Sequence, residues 1–135
     1  MNKEEQEQKY ALLQMLDQQL KQTQKQIKNL QSQQENLIES VQALEELGQI
    51  EVGAAILFPI TNGVFVKGTL TERDMVTVNI GAKTAVQKTR EGARQLLTEQ
   101  YKEVEGVLSQ LASDFKEMYS QAKRLEEELA QCSVS

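Results

Sequence analysis

Ala55-Ile56-Leu57-Phe58-Pro59-Ile60-Thr61-Asn62-Gly63-Val64-Phe65-Val66-Lys67-Gly68-Thr69-Leu70 decides the fold, because here the hydrophobic period of the chain changes from seven to two. Two β-rich runs flank Asn62-Gly63, a strong hairpin signal since both residue types accept the positive φ of a tight turn. Pro59 lacks an N–H and belongs at a sheet edge or a bulge, and Gly68 inside a run predicts a sharp bend. A second pair of strands follows. Thr71-Glu72-Arg73-Asp74 supplies a turn, and Met75-Val76-Thr77-Val78-Asn79-Ile80 alternates so that Val76, Val78 and Ile80 share a face. Gly81-Ala82-Lys83 then leads into Thr84-Ala85-Val86-Gln87-Lys88. Strands this short cannot bury enough apolar surface to stand alone, and their open edges invite pairing with other chains. The expectation is oligomerisation through Ile56, Phe58, Ile60, Val64, Val66, Val76, Val78 and Ile80.

Outward from this segment, in both directions, the period is seven. In the first arm, roughly Glu4 to Leu47, steps of three and four place Leu13, Leu16, Leu20, Thr23, Ile27, Leu30, Gln34, Leu37, Val41 and Leu44 on one seam, Thr23 and Gln34 being its polar members. The second arm, roughly Thr89 to Cys132, aligns Leu97, Tyr101, Val104, Leu108, Leu111, Phe115, Met118, Ala122, Leu125, Leu129 and Cys132. Neither arm has an internal proline, and Gly92 and Gly106 each cost only about 1 kcal/mol relative to Ala, so both helices run uninterrupted. At about 1.5 Å per residue each would reach about 70 Å, too long to fold back into one globule. Heptads sustained in this way, with Gln, Lys and Glu elsewhere, mark a coiled coil rather than a helix lying on a globular core. The glutamines from Gln14 to Gln34 are its polar faces.

Matched arms and a short connection predict antiparallel pairing, with Leu44 near Gly92, Ile27 near Ala112, Leu13 near Leu125, and both termini at the far tip. Thr23 and Gln34 either trade stability for a fixed register or are merely tolerated at a solvated seam. The fold expected is α+β and mostly α: a long antiparallel coiled-coil hairpin with two β-hairpins at its bend. Residues 1–48 form the N-terminal helix, 49–88 the oligomerisation hairpins and 89–135 the C-terminal helix, all within one structural domain.

Composition narrows the function. The 135 residues are 26% charged and 4% aromatic, which leaves little for a bulky globular core. A formal net charge of −5 without any basic stripe makes nucleic acid a poor partner and disfavours anionic membranes. No apolar run approaches a membrane span, and Met1-Asn2-Lys3-Glu4-Glu5-Gln6 has no signal core, so a cytoplasmic location is expected. Cys132 is the sole cysteine, which rules out an internal disulfide, and its seam position favours packing over redox chemistry. The chain has no His, no Cys pair and no phosphate-binding glycine loop, and Glu126-Glu127-Glu128 and Glu45-Glu46 are solvated helix faces. No catalytic residue, metal site or cofactor is expected, and the chain is not expected to be an enzyme.

Helix, two β-hairpins and helix, with Phe58-Pro59-Ile60, Val64-Phe65-Val66-Lys67-Gly68, Val76-Thr77-Val78-Asn79-Ile80-Gly81 and Ala85-Val86-Gln87-Lys88, resembles the alpha-type subunit of prefoldin over nearly the whole chain. Two hairpins point to the alpha class, since beta-type subunits have one. Lys83-Thr84 stands where the family commonly has Gly-Tyr, and Gln87 where Glu is frequent. The resemblance implies a hexamer of two alpha-type and four beta-type subunits, whose sheets form a double β-barrel platform carrying six coiled coils. It further implies that the coil tips hold non-native polypeptides and deliver them to a group II chaperonin without nucleotide.

A mechanism of that kind also follows from the residues. With the termini together, Tyr10, Leu12, Leu13, Met15 and Leu16 meet Leu125, Leu129, Cys132 and Val134 at the tip. Leu12 and Met15 lie off the seam, so one partner helix cannot bury them all. Fraying at the helix ends exposes more, giving an apolar tip that can hold an unfolded chain weakly, with Met an adaptable contact. The other reading of these residues is that they only close the end of the coil. A second functional reading is a structural or filament-forming scaffold of the same type, in which open sheet edges pair repeatedly instead of closing.

Overall fold

Asn2 starts the first helix: its Oδ1 accepts the Glu5 N–H at 2.8 Å, and Glu4 and Glu5 place negative charge on the first turn, where the helix dipole favours it. The computed structural model describes residues 2–134, with side chains described as far as Cys132. Helix α1 runs Lys3–Leu47, followed by strands β1 Ala55–Thr61, β2 Val64–Thr69, β3 Met75–Gly81 and β4 Thr84–Thr89, and by helix α2 Arg90–Val134. Thr89 caps α2, its Oγ1 accepting the Gly92 N–H at 2.9 Å.

The chain forms two compact units. One comprises Glu35–Lys102, and the other the segments up to Gln34 and from Glu103. In the latter, α1 and α2 lie antiparallel. Lys9 Nζ meets Glu128 Oε2 at 2.7 Å, Leu12 and Leu16 line a groove with Leu125 and Glu128, and Leu30 lies beside Val107 and Leu111. This register matches the expected neighbours Leu13 and Leu125, and Ile27 and Ala112. Every seam position of both helices is buried or half-buried here, Thr23 included, while the positions between them face solvent with few exceptions such as Asp114. Burial is deepest at Leu16 and Leu129, 5% and 6% exposed, each contributing on the order of 2 kcal/mol.

Within Glu35–Lys102 the same antiparallel pairing brings Leu37 and Val41 against Thr98 and Tyr101. The last turn of α1 carries no basic side chain of its own. Two arginines from later in the chain serve it instead: the Arg90 guanidinium sits over Gly48 so closely that a Cβ would collide, and Arg73 Nη1 donates to the Ile50 carbonyl at 3.1 Å. Positive charge at a helix C-terminus is favourable.

Strands β1 and β2 form one antiparallel two-stranded sheet, and β3 and β4 another. In the first, pairing runs regularly from Ala55↔Thr69 to Pro59↔Phe65, then shifts before Thr61↔Val64. Gly63 alone takes a positive φ, +80°, so Asn62 does not share the left-handed conformation expected of a two-residue primed turn. The shift beside a left-handed glycine has the character of a glycine bulge, which lengthens the loop by one residue. Pro59 pairs next to that bulge, as its missing N–H requires. Gly68 does not bend the strand: the pairing stays regular through Ile56↔Gly68, and the glycine instead seats the Phe58 ring, which a Cβ would strike. Hydrogen bonds from Gly53 N–H to Leu70 O and from Leu70 N–H to Ala54 O close the base of this hairpin over buried Leu70.

The second hairpin pairs Met75↔Thr89 through Asn79↔Ala85 and closes with Gly81↔Thr84. Ala82 and Lys83 occupy its tip at φ +48° and +62°, a left-handed pair without glycine, preceded by Gly81 at +107°.

Candidate functional site

Strand alternation sorts the hairpin side chains into faces. On one face of β1–β2 lie Ile56, Phe58, Ile60, Val64 and Val66, the residues expected to assemble. Phe58 stands opposite Val66, and all of them except Ile56 are exposed. The other face carries Leu57 and Phe65, also exposed, around Pro59. The β3–β4 hairpin differs. Val76, Val78 and Ile80 share one face with Val86, while Thr77, Asn79 and Gln87 make the other polar. Sequence reasoning missed Leu57 and Phe65 because it assigned a single apolar face to each hairpin. The signal was present in the unbroken apolar run from Ala55 to Ile60, the pattern of a strand covered on both sides.

The residues expected at the chain-termini end divide into two groups. Leu13, Leu125 and Cys132 are half-buried and Leu16 and Leu129 buried, packed between the helices. Tyr10, Leu12 and Met15 are exposed by 54%, 47% and 56%, because their positions turn away from the seam. The Val134 side chain lies outside the described residues. Leu12 borders the groove formed with Leu16, Leu125, Arg124 and Glu128. Lys9 spans the helices above this groove, and the hydrogen bond from its ammonium to Glu128 raises its pKa above the ordinary 10.5.

Further along the same unit Thr23 is a polar position on a seam that stays apolar at Phe115, Met118 and Ala122. Thr23, Gln26, Asp114 and Gln121 line a groove of about 400 Å³, with Met118 its apolar member. Gln110 Nε2 donates to Asp114 Oδ1 at 3.0 Å, and the Phe115 and Tyr119 rings stack with centroids 6.5 Å apart. At the start of α2, Arg94 holds the Glu91 carboxylate at 2.6 Å and keeps its pKa below the ordinary 4.5. Among the described residues no group of three His, Cys, Asp or Glu side chains is placed to hold a metal ion, and no helix is long and apolar enough to cross a membrane.

Residues 16–135 match the family model described as Prefoldin subunit. The chain belongs to the prefoldin family. Prefoldin subunit alpha from Methanospirillum hungatei is 34% identical over 94 residues, which cover 70% of this chain and 60% of that protein. This prefoldin chain thus spans about 60% of the length of that relative. Prefoldin subunit alpha from Thermofilum pendens is 23% identical over 87 residues, 64% of this chain and 67% of that one. With alpha subunits as relatives and two hairpins between its helices, the chain is an alpha-type prefoldin subunit. Its fold is shared with the filamentous PFD of Methanocaldococcus jannaschii, solved by cryo-electron microscopy. The TM-score is 0.79 at 19% identity, over 88% of this chain and 98% of that one.

Proposed function

We propose that this prefoldin subunit is part of an ATP-independent chaperone that holds non-native polypeptides at the termini end of its helix pair and passes them to a group II chaperonin. The observation that carries the reading is the exposure of Tyr10, Leu12 and Met15 next to the packed leucines of that end. Three large apolar side chains within six residues, held on a charged helix, offer weak adaptable contact to an unfolded chain without a pocket of fixed shape. Chemistry on the client is not part of this role. The hairpins serve assembly. Neither two-stranded sheet is stable alone, and the exposed apolar side chains of β1–β2, with Ile80 of β3, gain their burial from partner subunits. The assembly proposed contains two alpha-type and four beta-type subunits around a β-barrel platform, in the cytoplasm.

Replacing Tyr10, Leu12 and Met15 together by Ser tests the holding surface. The expected result is loss of most suppression of client aggregation, with the mass of the assembled complex and its helix content unchanged. Undiminished suppression would remove these residues from the site. A second reading, a filament-forming scaffold, is supported by the filamentous state of the Methanocaldococcus jannaschii neighbour and by the unpaired edges of both hairpins. Electron microscopy of the purified chain separates the two, since discrete particles support the chaperone and rods of indefinite length the scaffold.

A further inference from the structure

One position before each seam residue, α1 carries a second stripe with the same steps of three and four. It opens with the exposed Leu12 and Met15 and continues as Gln19, Gln22, Gln26, Asn29 and Gln33, a row of five carboxamides, all exposed and with no charged residue among them. Among the described residues none of these five side chains makes a hydrogen bond within the chain, unlike Gln110 of α2, which donates to Asp114. The stripe walls three grooves that follow one another along one side of the helix pair. Leu12 lies in the first with Leu16 and Leu125; Gln19, Gln22 and Gln26 face Asp114 and Glu117 across the second; Asn29 and Gln33 lie in the third with Leu30, Val107 and Leu111. Gln121 borders the first two and Gln26 the last two, so the furrow is continuous. From Leu12 to Gln33 it runs roughly 30 Å, the length of about nine residues of extended chain.

We infer that this furrow binds an extended polypeptide segment through its peptide groups, the carboxamide row serving as a rail for the backbone. A carboxamide carries N–H donors and a carbonyl acceptor, the groups of the peptide unit itself, so it can bond a backbone N–H or C=O whatever side chain that residue bears. An unfolded chain offers both groups at every residue, whereas a folded surface has already paired most of its own. The rail therefore separates extended from folded chain without reading sequence, a distinction that apolar contact alone does not make. Each such bond is modest in water, so binding needs several in series between apolar ends, here Leu12 with Leu16 and Leu125 at one end and Leu30, Val107 and Leu111 at the other. Among the described residues lining the middle groove, the charged ones are Asp114 and Glu117, which favour a segment with Lys or Arg at its centre. This role rests on the holding function proposed above and carries its surface from the exposed apolar residues along α1.

Fluorescence anisotropy on the assembled complex tests the rail. The probes are a labelled peptide of about ten residues, Leu and Ser with a central Lys, and the same peptide N-methylated at alternate amides, which removes backbone donors. The complex should bind the unmodified peptide about tenfold tighter. Gln19→Ala, Gln22→Ala and Gln26→Ala together, which keep helix propensity high, should erase that preference while assembled mass and helix content stay unchanged. Exchanging the central Lys for Glu should weaken binding about threefold at low salt, and Glu117→Gln should remove most of that difference. Equal binding of the two backbones by the parent, binding of neither, or a preference that survives the three alanines would overturn the inference. So would a triple variant that changes the mass of the complex and keeps the preference, since the furrow would then be a subunit contact. Should the parent show no preference while serine at Tyr10, Leu12 and Met15 abolishes aggregation suppression, the rail falls and the holding function stands. A preference lost with the three alanines, beside undiminished suppression by the serine variant, would uphold the rail and remove the exposed apolar residues from the holding site.

Discussion

Gly68 leaves room for the Phe58 ring only because it has no Cβ, and the rest of the ring is exposed. Gly68→Ala should therefore displace Phe58 and lower the stability of the assembled protein by about 1–3 kcal/mol, read by thermal unfolding at fixed concentration. The second hairpin has the opposite opportunity. Ala82 and Lys83 hold left-handed conformations that cost L-residues with a Cβ roughly 1 kcal/mol or more each, at a turn where Asn-Gly would be relaxed. Ala82→Asn with Lys83→Gly should raise stability by about 1 kcal/mol, and an unchanged unfolding temperature would contradict the strain argument. At this scale the sequence was partly legible. Gly63 declared its turn, but whether Asn62 also turned left-handed depended on a bulge that either strand could absorb, and Gly68 read as a bend because its ring partner sits on the neighbouring strand.

Among the elements, the helices were the most readable, since a seam of ten or more positions repeats one signal until noise cannot hide it. Their ends depended on single hydrogen bonds and on arginines remote in sequence. Thr89→Ala should cost about 1 kcal/mol by removing the cap of α2. Lys9 makes a pH prediction with a definite sign. A cation whose pKa is raised on folding adds stability that is complete below its ordinary value of 10.5 and is lost as pH rises through the elevated one. The parent protein should thus exceed Lys9→Gln in thermal stability between about pH 7 and 10, and the two should converge in stronger alkali. Strand faces were legible where apolar and polar residues alternate, as from Met75 to Ile80. They were not where the run is apolar throughout, because Leu57 and Phe65 then carry no contrast to mark a second exposed face.

At the scale of the whole molecule, the proposed function gives assembly to the hairpins and client holding to the end where the helices terminate. Exposed apolar side chains also occur elsewhere on the helices, at Ile38, Val107 and Tyr119, so exposure alone does not select a binding site. What distinguishes the termini end is that Leu12 borders a groove with Leu16 and Leu125, close in sequence to exposed Tyr10 and Met15, whereas Ile38 lies beside Val41 and Tyr101 in the other unit. The candidate site could be named from sequence because off-seam apolar residues were visible in the heptad. Which of its members face solvent was settled by packing: Leu16 and Leu129 are covered, Tyr10, Leu12 and Met15 are not. Photo-crosslinking compares the locations directly, using a photoreactive residue at position 12 or at position 38, which are 47% and 43% exposed, in the assembled complex with a denatured client. The account predicts strong client adducts from position 12 and few from position 38; equal yields from the two would contradict it.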